Sequence, residues 1–141
     1  MNVLHLSIPP LPRFAATARS ALAEFAGSHA VTGLDAENLT FALGEAIANA
    51  IAHARTAKAI EIRFEVDSSS IVVIVTDHGR GIVAPPQGEL RFPSAFAEGG
   101  RGFAIMRRCT DFLEVDTAPG NGTAVRLGRF RRRRQELDAA S

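Results

Sequence analysis

The hydrophobic positions of the first 54 residues predict one strand followed by two helices. The run at 3–8 is β-like and stops at a Pro-Pro pair. Apolar residues recur with a helical period over 13–26 and again over 36–54. In the second segment, Leu and Ile at four-residue spacing form one stripe and Ala forms its neighbour, and Asp35 is a suitable N-cap. We therefore expect a long central helix at 36–54.

The pattern then changes to a period of two. AIEIRFEV at 59–66 alternates apolar and polar residues, whereas SIVVIVTD at 70–77 is nearly continuous Val and Ile. The first run predicts a strand with one wet face, and the second a central strand of a covered sheet. Residues 78–102 are rich in Gly and Pro and show no period. A loop of this length inside a domain is usually functional or disordered.

A helix at 103–110 and two strands complete the predicted elements. The strands FLEVDTA and TAVRLGRF flank Pro-Gly-Asn-Gly, which is a strong hairpin signal. The order β-α-α-β-β-loop-α-β-β predicts an α/β two-layer sandwich, with one mixed, mostly antiparallel sheet and helices on one face. We expect one domain at 1–128 and a basic, flexible tail at 129–141.

Charge separates this tail from the rest of the chain. The chain has 141 residues and a formal net charge of +1. Residues 129–141 carry five Arg, Glu136 and Asp138, so the tail has a charge of +3 and the remainder −2. This distribution argues against nucleic-acid binding by the folded part. For the tail, a solvated terminus is favoured over contact with nucleic acid or an acidic partner.

Cysteine content and the N-terminus indicate the compartment. The single cysteine, Cys109, excludes an intramolecular disulfide and the multi-Cys zinc patterns. The first 14 residues lack a basic segment before their apolar run, so we expect no signal peptide. No apolar run approaches the roughly 20 residues of a membrane span. The expectation is a soluble cytoplasmic protein that has no membrane partner.

Three polar groups stand in a row on the central helix. Glu45, Asn49 and His53 recur at four-residue spacing in GEAIANAIAH, and between Thr40 and His53 the segment has no other polar side chain. The simple interpretation is the wet face of an amphipathic helix, but such a face normally carries many charges. Because Gly and Ala beside the row leave space above it, the pattern favours the floor of a pocket.

Two glycine-rich clusters follow. DHGRG at 77–81 places a carboxylate at a strand end before two glycines, which lets backbone approach a flat or phosphorylated ligand, although a tight turn has the same pattern. GGRGF at 99–103 leads into a helix, where backbone N–H groups and the helix dipole favour phosphate. It is neither a P-loop, since G-K-[ST] is missing, nor a dinucleotide fingerprint, since no strand precedes it.

The order of these motifs resembles the GHKL (Bergerat) ATP-binding fold of histidine-kinase-like ATPases. E-x-x-x-N-x-x-x-H on a helix precedes D-x-G-x-G after a strand, G-x-G-F-x-I-M before a helix, and G-T in the last strand. Within that fold, the chain is similar to the anti-sigma-factor serine kinases of bacterial partner switching. The resemblance runs from about Asp35 to Leu127.

The resemblance implies roles for residues that meet ATP and its metal. Asn49 would supply an amide oxygen to Mg²⁺, a metal that prefers hard oxygen ligands. Glu45 would be the catalytic base that deprotonates a serine hydroxyl. Asp77 would accept a hydrogen bond from the adenine amino group, and the hydroxyl of Thr123 would support that contact.

The glycines and the loop have implied roles as well. Gly79 and Gly81 would let the adenine ring lie against backbone, and residues 83–101 would form a mobile lid. The remaining nucleotide-binding positions are Gly100 and Gly102, whose amides would hold phosphate, Arg101, which would pair with the γ-phosphate, and Phe103, which completes the motif. His53 fits the family pattern without a firm role.

The function implied by the resemblance is an ATP-dependent protein-serine kinase and anti-sigma factor. It would sequester a sigma factor and phosphorylate a STAS-type anti-anti-sigma protein, and it would form a homodimer. The alternatives are a non-catalytic ATP-binding switch and a catalytic module of a histidine-kinase-type phosphorelay. An acid-stable or an acid-labile phosphoprotein product distinguishes the two kinase hypotheses.

Overall fold

The computed structural model describes residues 1–79, 100–117 and 120–131. Its elements, in chain order, are β1 (Asn2–Ile8), a 3-10 turn (Pro12–Phe14), α1 (Ala15–Ser28), α2 (Gly33–Ala54), β2 (Ile60–Val66), β3 (Ser70–Asp77), α3 (Gly100–Cys109), β4 (Phe112–Thr117) and β5 (Thr123–Phe130). Each element predicted from the sequence is present.

The five strands form one sheet in the order β1-β2-β3-β5-β4, and every neighbouring pair is antiparallel. The continuous Val/Ile run of β3 lies at the centre, where Val72 and Val73 are buried on opposite faces. In β2 burial alternates, as the period of two predicts, so that Ile62 is buried and Arg63 is exposed. The predicted two-layer α/β fold is confirmed.

The hydrophobic core lies between the sheet and the helices. α2 contributes Leu39, Leu43 and Ile47, which are fully buried, and its alanine stripe is buried beside them. α1 adds Leu22 and α3 adds Met106 to the same core. Small alanine side chains allow neighbouring helices to approach closely, so α2 packs against both α1 and α3.

Two predicted helix starts are wrong by three residues. α2 begins at Gly33 after Thr32, whose side chain makes no capping hydrogen bond. Asp35 is therefore not the N-cap; it lies in the first turn, where its carboxylate binds Arg129 instead of a backbone N–H. α3 begins at Gly100, not at residue 103, so two of the predicted loop glycines lie in its first turn.

The sheet continues past residue 128, the boundary expected between domain and tail. β5 ends at Phe130, and the backbone N–H of Arg131 donates to the Ser69 carbonyl over 2.8 Å. Residues 132–141 lie outside the described residues. No helix in the described part combines the length and the apolar character that crossing a bilayer requires.

Candidate functional site

The first part of the site is the contact between α2 and α3. A Cβ atom built on Gly102 would lie 2.9 Å from Glu45 Oε2 and 3.5 Å from Asn49 Oδ1. A side chain at position 102 would therefore require the Glu45 carboxylate to move. Two of the motifs predicted to act together, the helical row and the glycine-rich turn, therefore meet in space.

The Asn49 carboxamide is incompletely satisfied. Its Nδ2 atom is buried, and it finds no hydrogen-bond partner among the described residues. A buried amide donor without an acceptor costs free energy, and such groups in native proteins usually mark a ligand or a water. The unpartnered Asn49 amide is therefore better explained by a bound ligand than by the contacts within the protein alone.

A groove of about 620 Å³ adjoins Glu45 on the side away from the sheet. It lies between the 3-10 turn, α1 and α2, and Gly44 forms part of it, with the Arg19 side chain 3.4 Å from the position of a built Cβ. Phe41, at its edge, is 54% exposed. Glu45 thus lies against Gly102 and also forms part of the lining of this open groove.

Asp77 forms the second part of the site. It is only 8% exposed, and its Oδ1 accepts a hydrogen bond from the Gly79 N–H over 3.0 Å. Burial raises the pKa of this carboxyl above its ordinary value, while the N–H groups of Gly79 and Thr123 and the nearby imidazoles of His78 and His53 act in the opposite direction. The carboxyl is held rigidly and is poorly hydrated, which suits an acceptor for a ligand N–H.

Two close approaches fix the surroundings of Asp77. A Cβ on Gly79 would lie 2.5 Å from the carbonyl oxygen of Ala54, so this position needs glycine to pack on the end of α2. Gly122 has φ +78°, and a Cβ there would collide with the Asp77 carbonyl. The end of β3 is therefore held between α2 and the β4–β5 turn.

Thr123 lies directly beside Asp77 in the sheet. It is buried and pairs with Asp77 in the β3–β5 ladder, and its backbone N–H bonds the Asp77 carboxyl. Its hydroxyl lies 2.9 Å from the hydroxyl of Thr117. The adenine role of the Thr123 hydroxyl stays a prediction, whereas its backbone contact with Asp77 was not foreseen.

The remaining predicted residues divide into two groups. Gly81 and the lid up to residue 99 lie outside the described residues, as does the side chain of Arg101. Gly100 is the first residue of α3. Phe103 is 3% exposed and belongs to the hydrophobic core, and its nucleotide-binding role stays a prediction.

Sequence reasoning missed one polar cluster, formed by Arg129 with Asp35 and the Cys109 carbonyl. The signal was present in the alternation of β5, where Thr123, Val125 and Leu127 face inward and Arg129 continues that face. A charged residue at an inward position needs a partner. The predicted domain boundary at residue 128 puts Arg129 in the tail and so disregards this signal.

Comparison with known proteins identifies the fold and its family. Residues 8–129 match the family described as histidine kinase-like ATPase domain, which is most of the chain. The chain belongs to this family. For an ATPase domain the description implies ATP binding, and Glu45, Asn49, Asp77 and Gly102 all lie within the matched residues.

The relatives of this ATPase domain include proteins named anti-sigma factor and serine-protein kinase. The chain is 31% identical over 134 residues to an anti-sigma F factor of Caldanaerobacter subterraneus, covering 92% of this chain and 94% of the relative. It is 26% identical over 142 residues to the serine-protein kinase RsbW of Bacillus pumilus, covering 92% and 86%. The resemblance to GHKL-fold anti-sigma factor kinases is confirmed.

A solved structure supports the same fold. The RsbU and RsbW domains of a Mycobacterium tuberculosis protein superpose with a TM-score of 0.71 at 18% identity, covering 94% of this chain and 34% of that one. At this identity the likeness concerns the fold alone. It agrees with the single antiparallel sheet and the helical layer described above.

Proposed function

We propose that this ATPase domain is a protein-serine kinase and anti-sigma factor that works by partner switching. The observation that carries the proposal is the convergence of Glu45 and Asn49 on Gly102, at the first turn of α3. This arrangement puts a carboxylate, an amide and a helix N-terminus within a few ångströms of one another. Those are the groups that transfer of a phosphoryl group requires.

The phosphate end of ATP would lie between α2 and α3. Asn49 would hold Mg²⁺ through its amide oxygen, and its orphaned Nδ2 atom indicates that this side chain is built for a ligand. A Mg²⁺ ion held there would offset the negative charge of the phosphates. Backbone N–H groups in the first turn of α3 would bind phosphate oxygens, favoured by the positive end of the helix dipole.

Glu45 would take the proton in the transfer step. The serine hydroxyl gives its proton to a Glu45 carboxylate oxygen while its Oγ forms a bond to the γ-phosphorus. The bond between that phosphorus and the β,γ-bridging oxygen breaks, and ADP leaves with the bond's electrons. Phosphoserine, ADP and a protonated Glu45 are the products of this step.

The adenine end of ATP would lie at the C-terminal end of β3. There the Asp77 carboxyl would accept a hydrogen bond from the adenine amino group, and Gly79 would let the ring pass close to the backbone. Asp77 and Asn49 are on different elements, β3 and α2, which the contact between Gly79 and Ala54 holds together. This junction would fix the distance between the groups that bind the two ends of the nucleotide.

The partners follow from the relatives and from the open groove. A protein serine must reach Glu45, and the groove beside it is open to solvent and edged by the exposed Phe41. A relative is named an anti-sigma F factor and another a serine-protein kinase. We therefore propose a sigma factor and a STAS-type antagonist as partners of this chain. A homodimer, which the resemblance to anti-sigma-factor kinases implies, and a cytoplasmic location complete the proposal.

The test is phosphotransfer from radiolabelled ATP to the cognate antagonist in the presence of Mg²⁺. Glu45→Gln keeps the size of the side chain but removes the base, so we expect the rate to fall about 10²- to 10⁴-fold. Glu37→Gln, an exposed carboxylate on the same helix, is the matched control and should keep the wild-type rate.

Three results would overturn this assignment. Full activity of Glu45→Gln would exclude it as the base. An acid-labile phosphoprotein would indicate the histidine-kinase-type module. Tight ATP binding without transfer to any partner would indicate a non-catalytic switch.

A further inference from the structure

Arg129 joins three elements at the end of the molecule opposite the site. From β5, its Nε and Nη2 atoms donate to Asp35 Oδ1 over 2.9 and 2.7 Å. Its Nη1 atom donates to the carbonyl oxygen of Cys109 over 3.0 Å. Asp35 lies in the first turn of α2 and Cys109 is the last residue of α3. One guanidinium thus connects the start of one helix to the end of another.

This cluster is more buried than an ordinary surface pair, so removing one partner leaves a poorly hydrated charge without its counter-ion. The side chain of Arg129 is 13% exposed and that of Asp35 26%. The guanidinium also satisfies a carbonyl at the negative end of α3, where a cation is favoured. By contrast, Arg126 and Glu114 on the outer face form a pair at 3.3 Å, with exposures of 41% and 67%.

The same two helices meet again at the site. Asp35 and Cys109 are joined through Arg129, and Glu45 and Asn49 lie against Gly102, so α2 and α3 run antiparallel. From the rise of a helix, the cluster lies about 10 Å from Gly102 along α3. A change in the angle of α3 at its last residue therefore moves its first turn relative to Asn49.

We propose that Arg129 is a positioning residue for the nucleotide phosphates. By fixing the end of α3 against the start of α2, it sets the gap between the first turn of α3 and the side chains of Glu45 and Asn49. The inference rests on the proposed function, because it requires that phosphates bind in this gap. It also assigns Arg129, which the sequence predicts to lie in the tail, to the folded part that carries the proposed site.

The proposal predicts a selective effect. Phosphate groups depend on the placement of α3, whereas the adenine end depends on Asp77 and Gly79 at the close of β3. Loosening α3 should therefore weaken binding of ADP and ATP and leave binding of adenosine unchanged. A residue that only stabilises the fold would not distinguish these ligands once the protein is folded.

The experiment compares Arg129→Gln and Asp35→Asn with Arg126→Gln in the full chain. Arg126 is the matched control, since it lies on the same strand, on the other sheet face, in an exposed pair. Binding of Mg-ADP is measured by calorimetry and binding of adenosine by NMR titration, with folding checked by circular dichroism. For both cluster variants we expect a loss of Mg-ADP affinity of roughly fivefold or more, with adenosine affinity changed less than twofold. Arg126→Gln should bind both ligands as the wild type does.

The outcomes that count against the proposal are distinct. Equal Mg-ADP affinity in folded Asp35→Asn and in wild type would overturn it, as would an equal loss for adenosine. Should Arg129→Gln fail to fold, Asp35→Asn, which keeps an acceptor oxygen, decides the matter. If the wild type itself binds no Mg-ADP, the proposed function fails before this inference is reached.

Discussion

At the scale of single residues, the three polar side chains in the row on α2, Glu45, Asn49 and His53, lie at different parts of the proposed site. Glu45 and Asn49 lie against Gly102, while His53 lies in the last turn of α2, near enough to affect the Asp77 carboxyl. The four-residue spacing therefore does more than put these side chains on one face of α2. The row extends from the phosphate end of the proposed site to the adenine end.

Asn49→Leu tests whether the orphaned amide serves a ligand. Leucine is similar in size and removes a buried donor that lacks a partner, so the ligand-free variant should equal or exceed wild type in free energy of unfolding, by up to about 1–3 kcal/mol. Mg-ATP binding should be lost. Urea unfolding and calorimetry measure the two effects. A strongly destabilised variant would show that the amide is needed by the fold instead.

At the scale of elements, the decisive feature is how closely α3 lies on α2. Glycine at 102 has no side chain to separate the helices, and the facing residues of α2 are small or flexible. The helix pair is anchored at its other end by Arg129. The site is thus a property of two helices and a strand, and not of one motif.

Gly102→Ala should separate stability from activity. Alanine favours the helix by up to about 1 kcal/mol, while its Cβ would lie 2.9 Å from Glu45 Oε2, the movable end of a side chain. We expect little loss of stability but a fall in phosphotransfer of at least about tenfold, because Glu45 must turn away.

Gly27→Ala is the control for this substitution, since nothing lies within 4 Å of a Cβ built there. It should gain stability and keep full phosphotransfer. Unchanged activity in Gly102→Ala would mean that Glu45 does not work from the position seen here. Thermal melting and the phosphotransfer assay are sufficient to compare the two variants.

At the scale of the whole molecule, one buried group of the proposed site lowers the free energy of unfolding. The Asp77 carboxyl is buried at the C-terminal end of β3, and burial raises its pKa above the ordinary value of 3.8. Its contribution to stability is therefore full below pH 3.8 and is lost as the pH rises through the raised pKa. Once the carboxyl is ionised, the ligand-free protein carries a poorly hydrated charge that lowers its stability.

Asp77→Asn should relieve this cost. The variant keeps an acceptor oxygen for the Gly79 N–H, so at pH 7 we expect it to unfold at higher urea than wild type, with the difference shrinking as the pH falls toward 3.8. ATP binding should be lost at every pH. In the wild type, ATP affinity should fall as acid protonates Asp77.

Asp116→Asn, an exposed carboxylate on β4, controls for the loss of a charge and should bind ATP normally. Urea unfolding between pH 4 and 8, with calorimetry at the same values, covers both effects. If Asp77→Asn proved less stable than wild type at pH 7, the carboxylate would be stabilising the fold, against the direction of its pKa.

The sequence by itself determined the elements, their order and the motifs. Periods of 3.6 and 2 residues reflect local backbone geometry, so the helices and strands appeared where the patterns placed them, including the central β3. A glycine, or a polar residue in an apolar segment, is likewise a local signal. Such signals led to the prediction of Glu45, Asn49, Asp77 and Gly102 as site residues. The family match supports this reading of the motifs as an ATP site.

Only the tertiary structure decided which groups meet. Asp35 looked like an N-cap and Arg129 like part of a tail, because the two residues are 94 positions apart in the sequence and their contact leaves no local pattern. The contact between the Thr123 and Thr117 hydroxyls was likewise beyond a local pattern, since the pairing of β4 with β5 sets it. Side-chain partners depend on distances across the fold, which a local pattern does not contain.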